Sequence, residues 1–142
     1  MTTRPLRLLA EDADDLEVIS AALQDAVARI GDIRWEKDGR RLTIAFNRYR
    51  WEAEGGRGER VRAGLQLGGV QAVRARNLRA EATDAVVELL AMTFDPVDPP
   101  GGRVIFAFAD GGDLAVDVEC VDAALADLSE PWRSPHKPDH QA

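Results

Sequence analysis

The sequence has a single cysteine, Cys120, in 142 residues. No intramolecular disulfide can form, and no cysteine cluster can hold zinc. Histidine is confined to His136 and His140, so a Ser-His-Asp or Cys-His arrangement would have to draw on the last few residues. Lysine is nearly absent: of eighteen basic residues only Lys37 and Lys137 are lysines. No apolar run approaches the roughly 20 residues of a bilayer span, and Met1 to Leu9 lacks the apolar stretch of a signal peptide. These absences predict a cytoplasmic protein with no metal, no cofactor and no membrane partner.

What is present supports a packed core. Hydrophobic residues make up 45% and charged residues 30% of the chain, outside the range of disordered sequences. The reading is one α+β domain over residues 1–129, followed by a proline-containing tail at 130–142 with Pro131, Pro135 and Pro138. The net charge is −7, and it is unevenly spread. Residues 29–79 hold thirteen basic and six acidic side chains, while residues 80–142 hold three and thirteen. If the fold keeps the basic strands together, the molecule is electrically two-sided. A pI near 4.8 opposes general affinity for a polyanion, but a local basic face on an acidic body is compatible with it.

The hydrophobic period places the elements. Leu6, Leu8 and Leu9 suggest a first strand. Glu11-Asp12-Ala13-Asp14-Asp15 suits a helix N-terminus, and Leu16, Ile19, Leu23 and Ala26 follow at helical spacing, predicting a helix over 13–26. From Ile33 the period is two. Asp38-Gly39 signals a hairpin, and Leu42, Ile44 and Phe46 line one strand face. Arg48 and Arg50 continue that face, which calls for a bulge or for the strand to leave the core. Val61, Ala63, Leu65 and Leu67 alternate, and Gly68-Gly69 is read as a turn into a partner strand, Val70 to Arg76. Val86 to Phe94 is read as a strand. Val104-Phe106-Phe108 and Leu114-Val116-Val118 form a hairpin around Asp110-Gly111-Gly112-Asp113. Val121, Leu125 and Leu128 predict a closing helix over 119–128.

Several motifs carry ordinary structural readings. His136 and His140 have i, i+4 spacing, but Pro138 lies between them and opposes the helix a metal pair would need. Cys120 is read as a small core residue. Gly55-Gly56-Arg57-Gly58 and Gly68-Gly69 match no phosphate-binding loop. The acidic runs lack EF-hand spacing and are read as a helix cap and a turn.

Asn47-Arg48-Tyr49-Arg50-Trp51 is the candidate site. Strand alternation sends Arg48 and Arg50 one way and Tyr49 and Trp51 the other. Arg62, Arg74 and Arg76 come from strands expected nearby. Converging guanidiniums suit a carboxylate, a phosphate or an acidic protein surface. The leading expectation is a non-enzymatic binding module for a partner protein or small anionic ligand. Nucleic-acid binding through the same arginines and aromatics is the second reading, and a small carboxylate-based enzyme the third. The alternative to all three is solvated arginines paired with neighbouring acids.

The element order, an extra strand and helix, about seven antiparallel strands and a closing helix, resembles a pleckstrin-homology-like barrel over residues 32–128. A two-layer α+β sheet is the other architecture that fits. The runs Leu6-Arg7-Leu8-Leu9-Ala10-Glu11-Asp12, Asn47-Arg48-Tyr49-Arg50-Trp51-Glu52 and Val118-Glu119-Cys120 resemble a family of small bacterial proteins known only as a domain of unknown function. That resemblance implies a soluble bacterial cytoplasmic protein and brings no activity with it.

Overall fold

The computed structural model describes residues 5–52 and 58–133. The histidine pair and most of the Gly55–Gly58 stretch lie outside them. Strand β1 (Arg7–Ala10) leads into helix α1 (Ala13–Ala22). Asp12 caps the helix, its carboxylate accepting from the Asp15 amide at 2.8 Å, and Asp15 in turn accepts from the Glu11 amide. These bonds satisfy amides that have no partner inside the helix. The helix ends four residues before the expected boundary. Asp25 takes a left-handed φ of 63° and donates its amide to the Leu89 carbonyl, turning the chain into a strand. Leu23 and Ala26 are still fully buried.

The remaining described strands are β2 (Val27–Arg29), β3 (Ile33–Glu36), β4 (Arg41–Tyr49), β5 (Glu59–Leu67), β6 (Val70–Arg76), β7 (Val86–Pro96), β8 (Gly102–Phe108), β9 (Asp113–Val118), β10 (Ala123–Asp127) and β11 (Trp132–Arg133). They form one sheet in the order β1-β10-β5-β4-β2-β7-β8-β9-β6, with β3 paired to β4 and β11 to β5. Every described pairing is antiparallel. The β3–β4 and β8–β9 hairpins fall where the alternation puts them, and residues 86–94 are strand. The sheet does not close into a barrel.

Two expectations are corrected here. Gly68-Gly69 is not a hairpin turn, because β5 and β6 do not pair. Instead β5 runs on into β6, and β9 into β10, as two long strands that bend together. The Gly68 amide donates to the Asp122 carbonyl and the Glu119 amide to the Gly69 carbonyl, so the ladder continues around the corner. Gly69 has φ +62°, which favours glycine, and a Cβ on Gly68 would lie 2.5 Å from Asp122 Oδ2, so that side chain would have to swing aside.

The second correction is the closing helix. Residues 123–127 are strand β10, held between β5 and β1. Val121, Ala123 and Leu125 are buried at strand spacing, while Leu128, which the helical reading buries, is 64% exposed. Two flanking strand edges override the helix propensity of an Ala- and Leu-rich segment. Cys120, at the corner, is exposed rather than in the core.

The core lies on the inward faces of β4, β5, β8 and β9, closed by Leu16 and Ile19 of α1 and by Leu23 at its C-cap. Each such large side chain contributes roughly 1.5–3 kcal/mol on burial. Among the described residues no helix is long and apolar enough to cross a membrane.

Candidate functional site

The seven residues singled out from sequence do not converge. Arg48 needs neither a bulge nor an exit from the core: β4 pairs with β5 in unbroken register from Leu42 to Tyr49, and Arg48 stays inward, fully buried. Its charge is matched there. Nε and Nη2 donate to the two oxygens of Asp127 at 2.9 and 3.0 Å. Nη1 and Nη2 donate to Glu52 at 2.9 and 2.6 Å, and Nη1 also to the Tyr49 carbonyl. Burial works against the Arg48 charge, but these hydrogen bonds outweigh it and hold its pKa above the ordinary arginine value. Burial likewise pushes the Glu52 carboxyl up, and the Arg48 hydrogen bonds reverse this, leaving it below its ordinary value.

Tyr49 is also buried, and its ring meets Trp51 edge-on at 4.6 Å. Trp51 Nε1 donates to the Gln24 carbonyl, tying the end of β4 to the turn after α1. Arg50 is paired with Glu59 at 2.6 Å. Arg62 on β5 faces outward and pairs with Asp32 at 3.0 Å. Arg74 and Arg76 are at the far end of the sheet on β6, paired with Asp117 and Asp113 of β9. Asp117 also takes Arg103 of β8 at 2.8 Å, and Arg103 lies opposite Asp95 of β7 in register. This outer face is a ladder of alternating charge across four strands, and cross-strand pairs of opposite sign fix register. The Arg103 hydrogen bond lowers the Asp117 pKa, burial opposes it slightly, and the charges of Arg103 and Arg74 add to the lowering.

The fold thus interleaves the basic and acidic segments, through Arg40–Glu119, Arg48–Asp127, Arg74–Asp117 and Arg76–Asp113. One basic surface survives. On the outer face of β1-β10-β5-β4-β3 the outward positions carry Arg7, Arg34, Arg41, Arg60 and Arg62. Glu36 binds Arg41 and Asp32 binds Arg62, and exposed Asp122, just before β10, stands on the same face beside Gly68. Among the described residues no acid pairs with Arg7, Arg34 or Arg60. Between these arginines Ala45, Gly64 and Ala126 lie side by side in register, with Ala124 in the next row beside Gln66 and with exposed Leu9 and Leu128.

Sequence reasoning missed most of this face. Arg34 was legible, because the Asp38-Gly39 hairpin sets it opposite outward Thr43. Arg60 was legible too, two residues from Arg62 on one strand face. Arg7, Leu9 and Leu128 were not, since they reach the face only through the β1–β10–β5 pairing. Among the described residues no group of three or more His, Cys, Asp or Glu side chains is placed to hold a metal ion.

A family model described as a protein of unknown function, DUF2948, matches residues 6–140. The chain belongs to this family. That is the kind of family the runs at 6–12, 47–52 and 118–120 resemble. No curated protein and no solved structure matches this DUF2948 chain.

Proposed function

We propose that this DUF2948 protein is a non-enzymatic binding module whose contact surface is the outer face of β1-β10-β5-β4-β3. The observation that carries the reading is the arginine on that face, five guanidiniums of which Arg7, Arg34 and Arg60 form no ion pair among the described residues, in a chain of net charge −7. The opposite outer face, over β6 to β8, is internally neutralised. An apolar centre ringed by arginine is the composition of protein contact surfaces, and local positive charge steers acidic partners to it. The binding residues are therefore Arg7, Arg34, Arg60 and Arg62, with Arg48 in a structural role. The exposed free thiol of Cys120 accords with a reducing compartment such as the bacterial cytoplasm.

The test is retention on immobilised polyglutamate and heparin at low salt. Wild type is expected to be retained in spite of its net charge, and Arg34→Glu/Arg60→Glu to flow through with unchanged circular dichroism. Equal behaviour of the two proteins removes the reading.

A further inference from the structure

We infer that this face seats an acidic amphipathic helix of a partner protein, a step that rests on the binding function proposed above. Apolar residues follow one another along the outward side of β10 and on to β11: Ala124, Ala126, Leu128 and Trp132, with Gln66 beside Ala124 and exposed Glu130 between Leu128 and Trp132. Leu9 lies beside Ala124 on β1, and Gly64 beside Ala126 on β5. Leu9 is 75% exposed, Leu128 64% and Trp132 39%. Gly64 has no side chain, and Leu128 leans over it, with Cδ1 3.2 Å from where a Cβ would stand. Leu128 therefore covers the gap at Gly64, and Leu9 and Trp132 rise at the two ends of the strip.

The dimensions fit a helix. Ala124 lies opposite Gln66 and Trp132 opposite Arg60, six residues along β5, or roughly 20 Å of strand. That length accepts about thirteen residues of helix. Arg7 flanks the strip on β1, opposite Ala126 of β10, and Arg60 flanks it on β5, opposite Trp132 of β11, each one strand spacing of about 5 Å away. A helix presenting leucine-like residues downward would place carboxylates on both shoulders against guanidiniums that no acid of the described chain neutralises. Apolar anchoring with flanking charge is the groove mode of helix recognition. A nucleic-acid strand would leave the apolar strip unused, because Trp132 is the sole exposed aromatic along it and stacking needs a series of rings.

The experiment is fluorescence anisotropy of the intact chain with a labelled synthetic peptide of glutamate and leucine at i, i+4 spacing. A scrambled peptide of the same composition and an oligothymidylate are run in parallel, and sedimentation velocity records self-association. The expected result is roughly micromolar binding of the patterned peptide at low salt. The scrambled peptide binds more weakly. Leu9→Ser/Leu128→Ser and Arg7→Glu/Arg60→Glu each weaken the patterned peptide about tenfold. Equal binding of patterned and scrambled peptides to wild type overturns the inference without needing any variant. Tighter binding of oligothymidylate overturns it in favour of nucleic acid. A dimer lost in the arginine variant overturns it in favour of a second copy. Retention on polyglutamate with no preference for the patterned peptide sinks this inference and leaves the binding function standing, whereas loss of that retention removes the binding function itself.

Discussion

Arg48 and Asp127, separated by 79 residues, meet through two parallel hydrogen bonds of 2.9 and 3.0 Å inside the protein. Their side chains are 0% and 3% exposed. The pair joins β4 to the end of β10, and Asp127 also accepts the Leu6 amide at 2.8 Å, so one carboxylate fastens the segment entering β1 as well. Truncating Asp127 leaves the buried Arg48 with Glu52 as its one acid partner among the described residues and its Nε–H without an acceptor, whereas replacing both members of a buried pair with apolar groups is often neutral. Asp127→Ala is expected to cost about 3 kcal/mol in urea unfolding, and Arg48→Met/Asp127→Leu to recover most of it. A double variant as unstable as the single one would show that the charge itself, and not its desertion, is what matters.

Acid should loosen the fold from two places. Glu52 and Asp117 both have folded-state pKa values below their ordinary 4.5 and 3.8. A depressed pKa means stability that is complete above the unfolded value and lost as pH falls through the folded one. The midpoint of urea unfolding is therefore expected to hold steady near neutrality and to fall from about pH 5 downward. Glu52→Gln and Asp117→Asn should each flatten that fall. An unchanged slope in both variants would place the acid sensitivity elsewhere.

The parts of the fold read correctly from sequence are those set by local alternation. Ile33 to Phe46 and Val104 to Val118 bury every second residue around a turn of short polar residues, and both are hairpins. What local pattern cannot carry is which strands meet. Gly68-Gly69 has the composition of a turn, and it bends the chain at a corner because Asp122 and Glu119 arrive beside it from 54 and 50 positions away. Residues 121–128 satisfy a helical and a strand spacing at once, and only the edges of β5 and β1 decide between them. Which arginines share a face is settled the same way. Local pattern does not show that Arg48 is neutralised by Asp127, 79 residues away, nor that Arg74 on β6 is remote from Arg62, because β5 and β6 do not pair.

Gly102 is a position where one methyl group should be felt. A Cβ there would enter the Phe94 ring and stand 2.6 Å from the Asp95 carbonyl oxygen. The ring can swing, but the carbonyl belongs to the β7–β8 ladder, in which Gly102 pairs with Pro96. Gly102→Ala is expected to cost about 1–3 kcal/mol, seen as a melting temperature lower by a few degrees. A wild-type melting curve would mean that the end of β7 yields freely.

Cys120 gives a check on the corner. It sits outside the core between β9 and β10. A thiol reagent added without denaturant should titrate one thiol at the rate it reaches in urea. Slow modification in the native state, accelerated by urea, would return Cys120 to the interior and with it the disposition of residues 119–122.

Charge reversal separates the structural arginines from the binding ones. Arg48→Glu puts a third carboxylate against Asp127 and Glu52 in a buried site and should prevent folding at ordinary temperatures. Arg74→Glu/Arg76→Glu breaks two exposed pairs, each contributing about 0–1 kcal/mol, and places acids beside Asp113 and Asp117; a modest loss of stability is expected, with retention on polyglutamate unchanged. Arg34→Glu/Arg60→Glu breaks no ion pair among the described residues, so its melting temperature should stay near that of wild type while retention on polyglutamate disappears. The three variants thus differ in the ratio of binding lost to stability lost. If polyglutamate retention falls in proportion to stability across all three, the outer face of β1-β10-β5-β4-β3 has no special role, and the arginines of this chain serve as counter-ions alone.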